Sequence, residues 1–411
     1  MVEIRRKQYL SINAALFIIA IYTLVLHLLF WHFPLDLLNA LSTPEQDDRY
    51  SDPNFYLYKA AEICIKSSWS IEDLMVTWSS AGVVGYLTIG CQVFGTEFFY
   101  IVLNPLIIIL GLGICLYVAR NCGLQPNIGL FSIFAIPYTM LTSSLPGKEV
   151  ISFLGVMLVA SGLLIITSKK TWLKGFGLIL PGLVFVALNR LHEAVAISIF
   201  SILWLTSTSS ILLRIALPIG GMLLVATFAP VILSGLQLSA TAVSLTDESL
   251  WSASSEGKSV NVDAIFDLLR SDNVIFHSLL GFPRVVFVLA APLSSLFTPW
   301  ADVEFAYFIF RDLSQRLRLF DLMFIVFAFI SVLKIPASRL TSVALETRWL
   351  LPSFFLFMIY VIVFFGVSQK SRYVFQYVPL LLIWYWCWRP AYPLLLLRSQ
   401  AKIRQLIRTK T

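Results

Sequence analysis

Long apolar runs separated by short polar breaks repeat along the chain. The runs cover about residues 10–33, 98–118, 126–141, 150–167, 176–188, 194–205, 215–236, 319–332, 349–367 and 374–397. Stretches of about 18 apolar residues or more cross roughly 30 Å of hydrocarbon as a helix. Short alternating segments of the β-barrel kind are not evident. The pattern predicts an all-α, polytopic integral membrane protein forming a single transmembrane domain over residues 1–411, with about ten spans. Residues 274–318 are the segment that decides the count. They contain Gly281, Phe282, Pro283 and Arg284, an apolar run, then Thr298, Pro299, Trp300, Ala301 and Asp302. A re-entrant segment there leaves ten spans, and a hairpin of two makes twelve.

Composition agrees with that class. Of 411 residues, 58% are hydrophobic, 14% aromatic and only 13% charged, against about 25% charged in a soluble domain. The net charge of +7 resides in short caps between the runs, where it sets topology, so it gives no reason to expect nucleic acid. Arg5, Arg6 and Lys7 precede the first run, which resembles a signal sequence, with Ala40, Leu41 and Ser42 as a small-residue site. Its apolar core is too long for that, and it reads as an uncleaved first span. Lys169, Lys170 and Lys174, then Arg214, then Lys334, Arg339 and Arg348, all fall on the inner side of that count. The tail 398–411 holds Arg398, Lys402, Arg404, Arg408 and Lys410 without an acid. Both termini are therefore expected in the cytoplasm, with the tail against anionic lipid. Arg311, Arg316 and Arg318 fit this plan poorly, because they fall on or near the outer side.

Two outer loops follow from the same count. Residues 34–97 are acidic, and 56–64 and 71–94 read as helices lying on or dipping into the interface. Trp69, Trp78 and Tyr86 there are the aromatic types that favour headgroup depth. A full crossing by 71–94 is the alternative. Residues 237–272 form the second loop, rich in Ser and carrying Asp247, Glu248, Glu256, Asp263 and Asp267. The five cysteines lack metal or redox spacing. Cys64 and Cys91 share the first outer loop and could pair, but free buried thiols are the expectation.

The polar break with most chemical content is Ser143, Ser144, Leu145, Pro146, Gly147, Lys148 and Glu149. Pro146 and Gly147 end one helix, and Glu149 suits the first turn of the next. That capping role explains the turn by itself; the other reading makes it part of a site. A second break, Asn189, Arg190, Leu191, His192 and Glu193, puts four polar side chains within five residues at a membrane boundary. Such groups face water or one another. An exposed turn is the plain alternative. With Asp47, Asp48, Arg284, Lys370 and Arg372, these breaks fall on the outer face. Carboxylates or His able to accept a proton, beside cations able to hold phosphate, are what glycosyl transfer from a lipid diphosphate needs. Arg meets phosphate oxygens bidentately and stays charged when partly buried. Candidate catalytic residues are Asp47, Asp48, Glu149, His192 and Glu193. Candidate phosphate-binding residues are Lys148, Arg190, Arg284, Lys370 and Arg372. Asp47 and Asp48 are neighbours and would face apart on a helix, so at most one is catalytic.

The acidic first outer loop (Asp47, Asp48, Arg49, Tyr50, then Tyr56, Tyr58, Ala60), Gly85-Tyr86 and Phe94-Gly95 before a span, and Pro146-Gly147-Lys148-Glu149 opening another are similar in arrangement to multi-span sugar transferases of the GT-C type. With Thr298-Pro299-Trp300, Arg372 and Pro379, the layout resembles still more closely the oligosaccharide repeat-unit polymerases of bacterial surface polysaccharide pathways. The resemblance implies a multi-pass protein of the bacterial inner membrane, with its site facing the periplasm and undecaprenyl-diphosphate-linked oligosaccharides as substrates. It makes Asp47 or Asp48 the loop acid, Lys148 with Glu149 the charged pair, and Arg372 the late phosphate-binding cation. A large soluble C-terminal domain and an Asp-Glu or Asp-x-Asp metal pair, found in many GT-C enzymes, are not present.

The expected function is polymerisation of lipid-linked repeat units into surface polysaccharide (O-antigen, capsule or exopolysaccharide). The alternatives are a GT-C type transferase using polyprenyl-phosphate sugars, and a transporter or flippase of lipid-linked glycans. A non-catalytic assembly partner is a further class, whose charged clusters would tolerate alanine. A transporter would place ionisable groups deep in several spans, and His27 is the clearest such group, with Asn104-Pro105 a kink candidate. No internal repeat, P-loop, HExxH, GxSxG or dinucleotide fingerprint is evident. No cofactor is implied and a divalent metal is not indicated. Expected partners are the lipid-linked substrate, the bilayer, a chain-length regulator and other assembly proteins.

Overall fold

The computed structural model describes residues 52–66, 81–95, 99–124, 146–206, 306–333, 346–365 and 377–388, with a few isolated positions besides. Every regular element among them is a helix and none is a strand. We number the helices α1 (Asp52–Ile65), α2 (Ala81–Phe94), α3 (Tyr100–Asn121), α4 (Lys148–Lys169), α5 (Trp172–Ala187), α6 (Leu191–Thr206), α7 (Ala306–Leu333), α8 (Leu350–Phe365) and α9 (Val378–Trp388). Two of them, α3 and α4, are long and apolar enough to cross a membrane. The expected loop 237–272, the tail 398–411, His27 and the segment containing Thr298-Pro299-Trp300 lie outside the described residues.

The helix α4 shows why these segments fold as they do. Gly147 precedes it in extended backbone, Glu149 sits in its first turn and Lys169 in its last, each charge opposing the helix end it faces. Lys170 then adopts the left-handed conformation, with φ 57°, and its N–H returns to the Ile166 carbonyl, closing the helix. The chain turns at once into α5, and the two helices pack antiparallel through glycines spaced seven residues apart. Gly155 lies against the Gly182 backbone and Gly162 against that of Gly175, so closely that a Cβ at Gly155 would meet the Gly182 carbonyl oxygen at 2.6 Å. Contact of backbone on backbone substitutes for the hydrophobic drive that lipid does not supply between helices.

The main core joins α3, α4, α5, α6, α7, α8 and α9. Phe200 of α6 stacks on Phe354 of α8 at 5.0 Å, and Phe324 of α7 meets Tyr385 of α9 edge-on at 5.7 Å. The buried indole of Trp204 donates to Thr167 Oγ1 at 3.1 Å, and that of Trp384 to the Arg348 carbonyl at 2.7 Å. All of α9 is buried.

A smaller second core is built from α1, α2 and the start of α3, around Tyr56, Leu57, Ala60, Val84, Leu87 and Tyr100. Here the expectation for the cysteines is corrected: Cys64 and Cys91 form a disulfide linking α1 to α2. The contacts of α1 with α2 bring together two cysteines that lie 27 residues apart. Cys115, Cys122 and Cys387 are free and buried.

A second correction concerns α7. The expected span began at residue 319, but the helix starts at Ala306 and runs 28 residues without Gly or Pro. At 1.5 Å per residue that is about 42 Å, against roughly 30 Å of hydrocarbon. Arg311, Arg316 and Arg318 lie on this same continuous helix, ahead of the apolar stretch from residue 319. Within the apolar stretch of α7, Asp321 is fully buried.

Candidate functional site

The two polar breaks singled out in the sequence meet in space. Glu149 projects from the start of α4, Arg190 from the turn after α5, and Glu193 from the start of α6. The Arg190 guanidinium donates from Nη1 to Glu193 Oε1 at 2.6 Å and from Nη2 to Glu149 Oε1 at 3.0 Å. The hydroxyl of Tyr377, immediately before α9, donates to the other oxygen of Glu193. Residues 184 positions apart thus end in one hydrogen-bonded chain.

Burial within the chain is graded. The side chain of Glu193 is 1% exposed, that of Arg190 5% and that of Glu149 19%. Glu193 and Arg190 are locked inside, and Glu149 is the carboxylate that water reaches. A guanidinium between two carboxylates suits the fixed fork of arginine. The arrangement is held by neighbours from other helices. The Gly82 N–H at the start of α2 donates to the Leu188 carbonyl at 3.0 Å. Gly82 is also pressed against the Asn189 amide, leaving no room for a Cβ. The ammonium of Lys148 lies over the Tyr56 ring of α1, 5.5 Å from its centre. Tyr86 donates to Asn104 Oδ1 at 3.0 Å, and burial raises its phenol above the usual tyrosine range.

The starts of α2, α4, α6 and α9 converge on this cluster, and helix N-termini favour negative charge. Within it, two carboxylates and two cations balance formally. Beside it, Asn189 Oδ1, adjacent to Arg190, and Ser152 Oγ, one turn along α4 from Glu149, are buried without a hydrogen-bond partner among the described residues. Chemically the cluster can accept a proton at Glu149, hold that carboxylate in place through Arg190, and offer a cation at Lys148.

The structure therefore unites Glu149, Arg190 and Glu193, with Lys148 next to them, and places His192 in the first turn of α6. Asp47, Asp48, Arg284, Lys370 and Arg372 lie outside the described residues. Tyr377 was missed in the sequence, since a tyrosine at the mouth of an apolar run looks like any member of an aromatic belt. Asn189 was visible only as part of a polar run.

Among the described residues, an all-helical bundle with two apolar helices of membrane-crossing length, and an ionic cluster at one end, is the class that this fold and site define. Comparison of the chain with protein-family models, curated proteins and solved structures returned no match.

Proposed function

We propose that this chain is a membrane glycosyltransferase that joins lipid-diphosphate-linked oligosaccharide repeat units, with the cluster around Glu149 as its centre. The observation that carries the reading is the graded chain Tyr377, Glu193, Arg190, Glu149, in which only the last carboxylate is accessible to water. A general base must reach its proton and be held in position. Glu149 meets the first condition, and Arg190 supplies the second. Glu193 and Tyr377 fix Arg190, which makes these three positioning residues.

In the reaction, Glu149 takes the proton of an acceptor hydroxyl as its oxygen attacks the anomeric carbon of the donor. A new C–O bond forms, the C–O bond to the diphosphate breaks, and its electron pair leaves with the phosphate. Lys148, beside the converging helix N-termini, neutralises the charge that develops there. Arg190 is engaged by two carboxylates, so it acts through Glu149 in this reading, and the phosphate falls to Lys148. The Cys64–Cys91 disulfide supports an oxidising compartment for α1 and α2, in keeping with a site on the outer face of an inner membrane. About ten spans with both termini in the cytoplasm belong to the same proposal.

The test is the length profile of surface glycan in a strain lacking the chain, complemented with wild type, Glu149→Gln, Lys148→Gln or Arg190→Ala. Expected is a ladder with wild type and a single repeat unit with Glu149→Gln at equal protein level. A missing sugar with the ladder intact would shift the assignment to a single-sugar transferase. A normal ladder with Glu149→Gln would refute the catalytic role. A second reading, transport of the lipid-linked glycan, is favoured by one observation, the buried Asp321 in α7, and would show as repeat units trapped on the inner leaflet.

A further inference from the structure

Asp321 stands apart from the cluster just described. Its side chain is 0% exposed, and among the described residues neither carboxylate oxygen has a hydrogen-bond partner. It lies on the buried stripe of α7 that continues through Phe324, Ile325, Ala328 and Val332, and α7 packs against α9. The titratable groups of α9 are Tyr385 and Cys387, both buried and both neutral in their ordinary forms. On its own helix, Arg318 lies one turn away, with no hydrogen bond from it to either Asp321 oxygen. An ionised carboxylate enclosed by apolar groups, with no donor on either oxygen, is among the least favourable arrangements a protein can hold. The same group carrying a proton is an ordinary neutral acid.

We propose that Asp321 is a proton-binding site within the α7–α9 interface, filled by one proton when the two helices are packed. Loss of that proton leaves a bare charge between α7 and α9, so the site must gain water or a donor as it empties. The packing of α7 on α9 is thereby linked to proton binding. This inference does not rest on the role assigned to Glu149.

The experiment uses the full-length protein in detergent. An apolar carbodiimide reacts with protonated carboxyl groups in apolar surroundings: the acid adds across its C=N bond, its proton passes to nitrogen, and rearrangement leaves a stable acylurea. Treated with dicyclohexylcarbodiimide at neutral pH, the protein should carry the adduct at Asp321 in peptide mass mapping. A water-soluble carbodiimide should leave that residue unmodified. In parallel, the unfolding temperature is followed as pH is raised. The packed state holds a proton that an unfolded, hydrated carboxyl has already released, so rising pH works against it. Wild type should lose unfolding temperature toward alkaline pH, and Asp321→Asn, which keeps the neutral shape, should lose less. Absence of the adduct from wild type, equal labelling by the water-soluble reagent, or the same alkaline fall in Asp321→Asn would each overturn the proposal. If the Asn variant fails to fold, the labelling of wild type decides.

Discussion

Replacing Arg190 with Met is the sharpest test of how the cluster is held. The substitution keeps an unbranched chain of similar reach and removes the charge. Glu193, 1% exposed, would lose the guanidinium and keep the Tyr377 hydroxyl, and Glu149 would lose the Arg190 hydrogen bond at 3.0 Å. Removing one partner of a buried ion pair costs about 3–5 kcal/mol, because an uncompensated charge stays behind. Adding Glu193→Gln removes most of that charge, and replacing a buried pair by neutral groups of similar volume is often neutral or stabilising. The double variant Arg190→Met/Glu193→Gln is therefore expected to be more stable than Arg190→Met alone. The assay is thermal unfolding of purified protein in a single detergent, with glycan length in complemented cells as a second readout. The double variant should regain unfolding temperature without regaining a ladder, since Glu149 still lacks its positioning arginine. Two results would refute the reasoning. One is an Arg190→Met protein as stable as wild type. The other is a double variant no more stable than the single.

Four further outcomes are expected. Tyr377→Phe removes a hydrogen bond to a charged acceptor and should lower stability by about 1.5–3 kcal/mol, read as a fall in unfolding temperature that is absent in a Glu193→Gln background. Glu149→Gln should leave unfolding temperature near wild type while abolishing the ladder, because the changed group is the one nearest water. Gly155→Ala drives a methyl against the Gly182 carbonyl and should destabilise by about 1–3 kcal/mol, whereas Gly177→Ala, with nothing within 4 Å of the added carbon, should not. Replacing Cys64 and Cys91 by Ser opens a link between residues 27 apart and should cost about 3–4 kcal/mol on the chain-entropy account. Non-reducing peptide mapping of wild type checks the bond itself.

The Cys64–Cys91 bond and the cluster show where sequence reading stopped. Periodicity and length alone located α3, α4, α5, α6, α8 and α9, because an uninterrupted apolar run has few ways to satisfy its backbone except as a helix. Pro146-Gly147 marked the start of α4 for a local reason, since that pair ends one helix before another begins. At α7, local signals misled: charged residues suggested a boundary, yet nothing between Ala306 and Leu333 breaks a helix.

What sequence by itself determined is the helical class, the positions of the apolar helices and the two polar breaks that carry Glu149, Arg190 and Glu193. All of these follow from interactions within a few residues. Only the tertiary structure decided that Arg190 faces both carboxylates, that Tyr377 completes the chain, that Cys64 meets Cys91 and that Asp321 is enclosed. Those facts depend on which helix faces lie together. Glycine contacts such as Gly155 on Gly182 and stacked rings such as Phe200 on Phe354 set the faces, through close packing of side chains distant along the chain.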